Sequence, residues 1–353
     1  MSLAARLARP EILALAPYAH ARWEPALVRL HANENPWRYV GDRSQAGLNR
    51  YPEPQPRTLE ARLAALYGVR PEQLIAGRGS DEGIDLLCRA FLVPGRDAAL
   101  VCPPTFGMYA VAARIQGAAL VEVPLVREAG YAPDEAALAA ALTPAVKLLY
   151  LCTPNNPTGN LVDPALIERL AGRLAEQALV VVDEAYLEFA AVPSLAARIG
   201  RLPNLVVLRT LSKAHALAGA RVGAVIADPA VIELLRRVIP PYSMPTPCSE
   251  AALEALAPAP LARARLRIAE LGAERGRLAA ALARLPLVRR VWPSAANFLL
   301  VECHDAAAAL ARARAAGFLL RDFSHGPLTP GALRITVGTP AANDRLLAGL
   351  AAP

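Results

Sequence analysis

The chain reads as an α/β protein of two units: a large one on a mostly parallel seven-stranded sheet flanked by helices, and a smaller α+β one. Three observations predict this. Its 353 residues exceed one ordinary core. From about residue 70 to 230, short β-rich runs alternate with longer helical patterns. Beyond the Pro-rich stretch 239–247 that rhythm gives way to a long helix and short β runs.

In order, strands are expected at 73–76, 99–102, 119–123, 147–152, 179–182, 205–208 and 222–226. Helical periodicity fills the gaps at 81–92, 106–116, 134–142 and 164–177, each opened or closed by Pro, Gly or a capping residue. After residue 247 the pattern predicts a helix over 249–285, strands near 288–292 and 297–301, a helix, two short β runs and a terminal helix. The division is residues 1–45 as an N-terminal arm that helps complete the smaller unit, 46–247 as the large unit and 248–353 as the C-terminal small unit. Residues 1–16 carry Arg6 and Arg9 among Ala and Leu, but Pro10 and Glu11 interrupt any secretory core, so a short docking helix is expected.

Hydrophobic residues make up 54%, much of it Ala, and charged or Pro residues break every apolar stretch before it reaches spanning length; no transmembrane helix is expected. Five widely spaced cysteines read as free thiols of a cytoplasmic protein, and the five histidines have no metal-ligand spacing, so no metal is expected. The net charge of +7 raises nucleic acid as a partner. Yet Arg263, Arg265, Arg267, Arg275 and Arg277 share their helix with Glu270 and Glu274, and no aromatics interleave for stacking. That is a solvated helix face; a phosphorylated small molecule satisfies the same positive bias.

Only two of the 38 basic residues are lysines, Lys147 and Lys213. A lysine retained among so many arginines either survives by chance or does what a guanidinium cannot, forming an imine with an aldehyde. Lys147 suits a snorkelling role at a strand start, whereas Lys213 follows a strand among hydroxyl residues. Asp183 ends the apolar run Val180-Val181-Val182 and so emerges at the carboxyl edge of the sheet, where open α/β folds bind ligands; it is a cap, a metal-site residue or the partner of a ring nitrogen. Gly77-Arg78-Gly79-Ser80-Asp81-Glu82-Gly83 is neither a dinucleotide fingerprint nor a P-loop. It is either a capped turn or a helix N-terminus able to hold a phosphate. Thr153-Pro154-Asn155-Asn156-Pro157-Thr158-Gly159 points Asn156 at the same edge.

Taken together with Pro103-Pro104-Thr105-Phe106-Gly107-Met108-Tyr109, Asp183-Glu184-Ala185-Tyr186 and Ser212-Lys213 through Arg221, these strings resemble a fold-type I aminotransferase over nearly the whole chain. Within that group, the chain resembles the histidinol-phosphate aminotransferases. The segments that carry this are Arg29 through Pro36, Arg50-Tyr51-Pro52-Glu53-Pro54, Arg209-Thr210-Leu211-Ser212-Lys213-Ala214 and Leu333 through Thr339.

The resemblance implies pyridoxal 5'-phosphate as cofactor, carried by Lys213 as a Schiff base, with the freed amine then moving the substrate proton. It implies that Asp183 pairs with the ring nitrogen, Asn156 and Tyr186 bind the phenolic oxygen, and Tyr109 stacks on the ring. The cofactor phosphate would take the N–H groups of Ser80, Asp81 and Glu82, the side chain of Arg221, and the hydroxyls of Thr210 or Ser212. Tyr51 would reach it from the second subunit of a homodimer. On the substrate side stand Arg334, Arg321, Tyr18 and Asn33, with Arg334 also binding the carboxylate of glutamate, the partner of 2-oxoglutarate in the reversible reaction of histidine biosynthesis. The same scaffold serves aromatic aminotransferases and threonine-phosphate decarboxylases. Two positions depart from the pattern. Phe106 stands where Tyr is common, and His215 stands where an aromatic usually follows the lysine; either repacks the wall, and His215 also bears on imine basicity or substrate preference.

Overall fold

A computed structural model describes residues 2–18, 22–24 and 27–352. Seven strands form the large sheet: β1 (Leu74–Gly77), β2 (Ala98–Val101), β3 (Ala119–Glu122), β4 (Val146–Cys152), β5 (Leu179–Asp183), β6 (Leu205–Thr210) and β7 (Gly223–Ile226). Their order is β1-β7-β6-β5-β4-β2-β3, with β7 antiparallel to both neighbours and every other pairing parallel. β5 and β6 are buried along their whole length, which is why Val180 to Val182 show no alternation: both faces are covered. One face carries a core that includes Leu63, Leu149, Val182 and Val207; the other packs Ile84, Leu87, Cys88 and Phe91 of helix Ser80–Phe91, spaced to face one way.

The smaller sheet is antiparallel, in the order β10 (Arg321–Asp322), β11 (Ala332–Thr336), β9 (Phe298–Cys303), β8 (Val288–Val291). It is tied to the large unit by Arg127, which pairs with the buried Glu302 at 2.7 Å, and by Tyr131, whose ring meets Trp292 edge-on at 4.7 Å. Helix entries follow a repeated device. Asp163 and Asp228 each accept the N–H two residues on, and Pro164 and Pro229 occupy the first helical position.

All seven large-sheet strands and both early strands of the smaller sheet fall where the sequence pattern puts them, within a residue or two. The expected helix over 249–285 is two helices, Thr246–Ala255 and Pro258–Leu282. Pro258 lacks an N–H and forces Ala257 to an extended ψ of 156°, which breaks the run. The N-terminal segment also departs from expectation. Helices Leu3–Leu7 and Pro10–Ala14 bury Leu7 and Ile12 in the large unit's core, against helix Pro229–Val238, rather than completing the smaller unit. Among the described residues no helix is long and apolar enough to cross a membrane, and no group of three or more His, Cys, Asp or Glu is placed to hold a metal; His20 lies outside the described residues.

Gly83 lets its helix approach the sheet: a Cβ there would stand 2.5 Å from Val225 Cγ2. Gly83→Ala is therefore expected to lower stability by about 1–3 kcal/mol. Gly276→Ala, on an exposed helix position with open space, is expected to be neutral or to stabilise by about 0.5–1 kcal/mol. Urea titration of the two variants beside the parent checks both signs.

Candidate active site

The parallel strands β4, β5 and β6 end side by side, with Cys152 opposite Asp183 and Asp183 opposite Leu208 in the register. The loops that follow deliver Asn156, Tyr186 and Lys213 to one place at the carboxyl edge of the sheet. There a cleft of about 480 Å³, including its open mouth, is lined by Lys213, Asp183, Asn156, Tyr186, Arg221 and their neighbours.

The turn carrying Asn156 is satisfied from within. Asn155 donates to Pro104 O (2.8 Å) and Thr158 Oγ1 (2.6 Å), accepts from Thr105 Oγ1 (2.8 Å), and its carbonyl takes the N–H of Gly159 (2.7 Å). Asn155 thus does the folding work and Asn156 is left for the cleft, where its Oδ1 accepts from Arg334 Nη1.

Asp183 is the deepest charged group of the site, 3% exposed. Its Oδ1 accepts the Ala185 N–H (3.0 Å) and its Oδ2 the Tyr109 hydroxyl (2.7 Å). Burial pushes the carboxyl up to about 6, against the two hydrogen bonds, which favour the charged form. The expected ring-stacking role of Tyr109 is thereby corrected. Tyr109 is wholly buried beneath Asp183 and stacks on Tyr150 (4.8 Å, 9°); Phe106 lines the cleft instead. The helix starts at Met108 and not at residue 106, so Phe106 belongs to the preceding loop and Tyr109 turns inward.

At the other end of the cleft the glycine loop enters helix Ser80–Phe91 through Gly79 at φ 82°. The first-turn N–H groups of Ser80, Asp81 and Glu82 have no intrahelical acceptor. Glu82 turns its carboxylate away, onto the Arg78 N–H (2.6 Å) and Nε (2.9 Å). Arg221, itself left-handed at φ 52°, reaches over this turn and bonds Asp81 Oδ2 (3.1 Å) and Ser212 Oγ (3.3 Å), while Thr210 Oγ1 lies 2.9 Å from Ser212 Oγ. A Cβ on Gly79 would stand 2.7 Å from Arg221 Nη2, and one on Gly223 2.5 Å from the Gly79 carbonyl carbon, so both glycines are required for this approach. A guanidinium, two hydroxyls and a helix N-terminus form a donor set that fits a phosphate.

Between the two ends, Lys213 Nζ lies 5.7 Å from the Tyr186 ring centroid. Burial, with the cations Arg334 and Arg221 nearby, lowers the lysine pKa, against the opposing pull of Asp81 and Asp183. Burial raises the Tyr186 phenol, which therefore stays a donor. Arg334 is flanked by Phe298 (5.3 Å) and Phe323 (5.6 Å), and its Nε–H has no protein partner among the described residues.

Of the remaining candidates, Arg321 is exposed and sits directly opposite Arg334 in the β10–β11 register, in a cleft the two share. Tyr18 lies in a separate cleft beside Gln55 and Arg236. Tyr51, half exposed, stacks on Tyr242 at 4.7 Å, and Asn33 is exposed at φ 56°. None of Tyr18, Tyr51 and Asn33 lines the Lys213 cleft of its own chain. Phe106 lines it, as a wall residue should, and Cys152 lines it without having been singled out; the strand-end position of Cys152 beside Asp183 was the available signal.

The family described as aminotransferase class I and II matches residues 25–350. A histidinol-phosphate aminotransferase of Stenotrophomonas maltophilia is 54% identical over 350 residues, 98% of this chain and 96% of the relative. The crystal structure of histidinol-phosphate aminotransferase from Sinorhizobium meliloti in complex with pyridoxal-5'-phosphate superposes with a TM-score of 0.73 at 29% identity, covering 86% of this chain and 82% of that one. The L-threonine-O-3-phosphate decarboxylase of Porphyromonas gingivalis gives a TM-score of 0.74 at 26% identity, covering 86% and 90%.

A lowered lysine pKa makes Lys213 a nucleophile at pH values where an ordinary lysine is protonated. Its acylation rate by acetic anhydride, read by mass spectrometry of the peptide containing it, is expected to reach half-maximum below the usual value of about 10.4. A midpoint at or above that value contradicts the assignment.

Proposed function

The chain belongs to the aminotransferase class I and II family, and from that premise we propose that it transfers the amino group between L-histidinol phosphate and 2-oxoglutarate, with pyridoxal 5'-phosphate as cofactor. The observation that carries the reading is that one cleft joins the Lys213 amine, the buried Asp183 carboxylate and the donor set of Arg221, Thr210 and Ser212. When bound, the cofactor supplies an electron-withdrawing ring that stabilises negative charge at the substrate Cα.

The protein's own groups divide the remaining work. Lys213 Nζ would be the attachment point and, as a free amine, would accept the proton from the substrate Cα, a role that burial favours by lowering its pKa. Asp183 would hold a proton on the ring nitrogen of the bound cofactor. Asn156 keeps its Nδ2 donors free because its Oδ1 is occupied by Arg334, so Nδ2 and the Tyr186 hydroxyl bind the phenolic oxygen. The N–H groups of Ser80, Asp81 and Glu82, with Arg221, Thr210 and Ser212, hold the phosphate.

Arg334 carries a buried Nε–H without a protein partner among the described residues and has Arg321 opposite it in a cleft the two share, a pair suited to a phosphate monoester; Arg334 alone suits a carboxylate. One site can then serve two unlike substrates in turn. The histidinol-phosphate reading draws its support from the 54% identity to the Stenotrophomonas relative, against 26% to the decarboxylase.

The active unit in this reading is a homodimer with shared sites. Val28, Leu30, Trp37 and Val40 are each more than 75% exposed, an apolar surface that a second copy would cover. Tyr51, Tyr18 and Asn33 lie outside their own cleft, so their expected roles belong to the partner's. Five free cysteines, four of them buried, suit a cytoplasmic setting.

Reconstituted protein is expected to show the visible band of the lysine-linked cofactor and to lose it on addition of L-histidinol phosphate. Lys213→Ala should lack the band and turn over at least about 10²- to 10⁴-fold more slowly. Arg334→Gln should raise KM for both histidinol phosphate and 2-oxoglutarate by about 10- to 100-fold. A band that responds to phenylalanine or threonine phosphate, and not to histidinol phosphate, replaces the substrate; no band after reconstitution overturns the cofactor assignment.

A further inference from the structure

We propose that Tyr109 is a positioning residue for the reaction: its hydroxyl donates to Oδ2 of Asp183 and fixes that carboxylate toward the cofactor ring. The inference rests on the reading of the cleft as a pyridoxal phosphate site.

The contact is 2.7 Å long and joins two side chains that are both almost fully buried. Burial raises the Tyr109 phenol well above its ordinary value, so it is a fixed donor throughout the working range. The ring is held from two sides. Tyr150 stacks on it in parallel at 4.8 Å, and Phe106, which lines the cleft, meets it edge-on at 5.6 Å. Tyr150 is in turn tethered through its hydroxyl to the Cys88 thiol at 3.4 Å. The column Phe106, Tyr109, Tyr150 thus runs from the cleft wall into the core and carries the donor to Asp183 at a set height.

Other groups facing Asp183 do not replace that donor. The Ala185 N–H holds Oδ1. The Asp81 and Glu184 carboxylates raise the Asp183 pKa, the buried Cys152 thiol and Tyr186 phenol are neutral, and Lys213 acts on it only through space. Without the Tyr109 hydroxyl, desolvation is opposed by one hydrogen bond alone, and the carboxylate would take up its proton at higher pH.

The test is pyridoxal phosphate binding to the cofactor-free protein as a function of pH, followed by quenching of tryptophan fluorescence. In Tyr109→Phe the acidic fall-off of binding is expected to move upward by roughly one pH unit, with affinity at pH 6.5 about tenfold weaker. Tyr150→Phe, which keeps the column but touches no carboxylate, should leave the fall-off where it was. Site-specific 3-fluorotyrosine at position 109 makes a stronger donor of nearly the same size and should move it downward, a readout available even if Tyr109→Phe does not fold. In an Asp183→Asn background, Tyr109→Phe should have no further effect on affinity. An unmoved fall-off in either position-109 variant, or an equal loss of affinity in the Asp183→Asn background, overturns the proposal. Absence of cofactor binding by the parent protein would instead overturn the reading of the cleft.

Discussion

A carboxylate at the end of an apolar strand, buried to 3% exposure, is the constraint on which the rest of this site depends. Desolvation alone would neutralise Asp183, and a neutral acid cannot hold a proton on a ring nitrogen. The fold answers with donors from two directions, the N–H of Ala185 just beyond β5 and the hydroxyl of Tyr109 from a helix two strands away in the sequence. The helix must therefore lie at a set depth beneath β4 and β5. Its aromatic column supplies that depth, and Phe106 at the head of the column becomes the cleft wall.

A second buried charge cluster holds the neighbouring strand ends. Arg209, 6% exposed at the end of β6, donates to Glu184 (2.8 Å) and Glu188 (2.7 Å), with its guanidinium 4.7 Å from the Tyr67 ring centroid. Ser194 and the Leu195 N–H complete the coordination of Glu184. A buried pair of this kind adds little net stability over an apolar substitute but tolerates few alternative arrangements. Because Glu184 follows Asp183 and Arg209 precedes the loop of Lys213, the cluster sets the spacing of these two groups of the proposed cofactor site. His215 belongs to this cluster, 3.9 Å from Glu188, and burial lowers its pKa; its departure from an aromatic side chain is absorbed behind the cleft, since it does not line it.

Much of this was legible in the chain. Continuous apolar runs such as Val180 to Val182 mark buried parallel strands, and residues that end such runs must emerge at the carboxyl edge, so Asp183, Asn156 and Lys213 could be placed together before any contact was known. What periodicity could not supply was rotation and partner. Phe106 and Tyr109 are three apart and interchangeable on a helix, and only the start of that helix at Met108 decides which faces the cleft. The long Ala-rich pattern after residue 247 hid a break that Pro258 imposes. Tyr18 and Asn33 lie outside the Lys213 cleft of their own chain, a placement that local sequence pattern does not encode.

The central claim is that one lysine amine, set between the Asp183 end and the Arg221 end of the cleft, bears the cofactor. Borohydride reduction of the reconstituted protein, followed by peptide mapping, tests it directly, because the chain has only Lys147 and Lys213 to label. The account predicts the reduced pyridoxyl mass on the peptide containing Lys213 and none on that containing Lys147. A label on Lys147, or on neither, would contradict it.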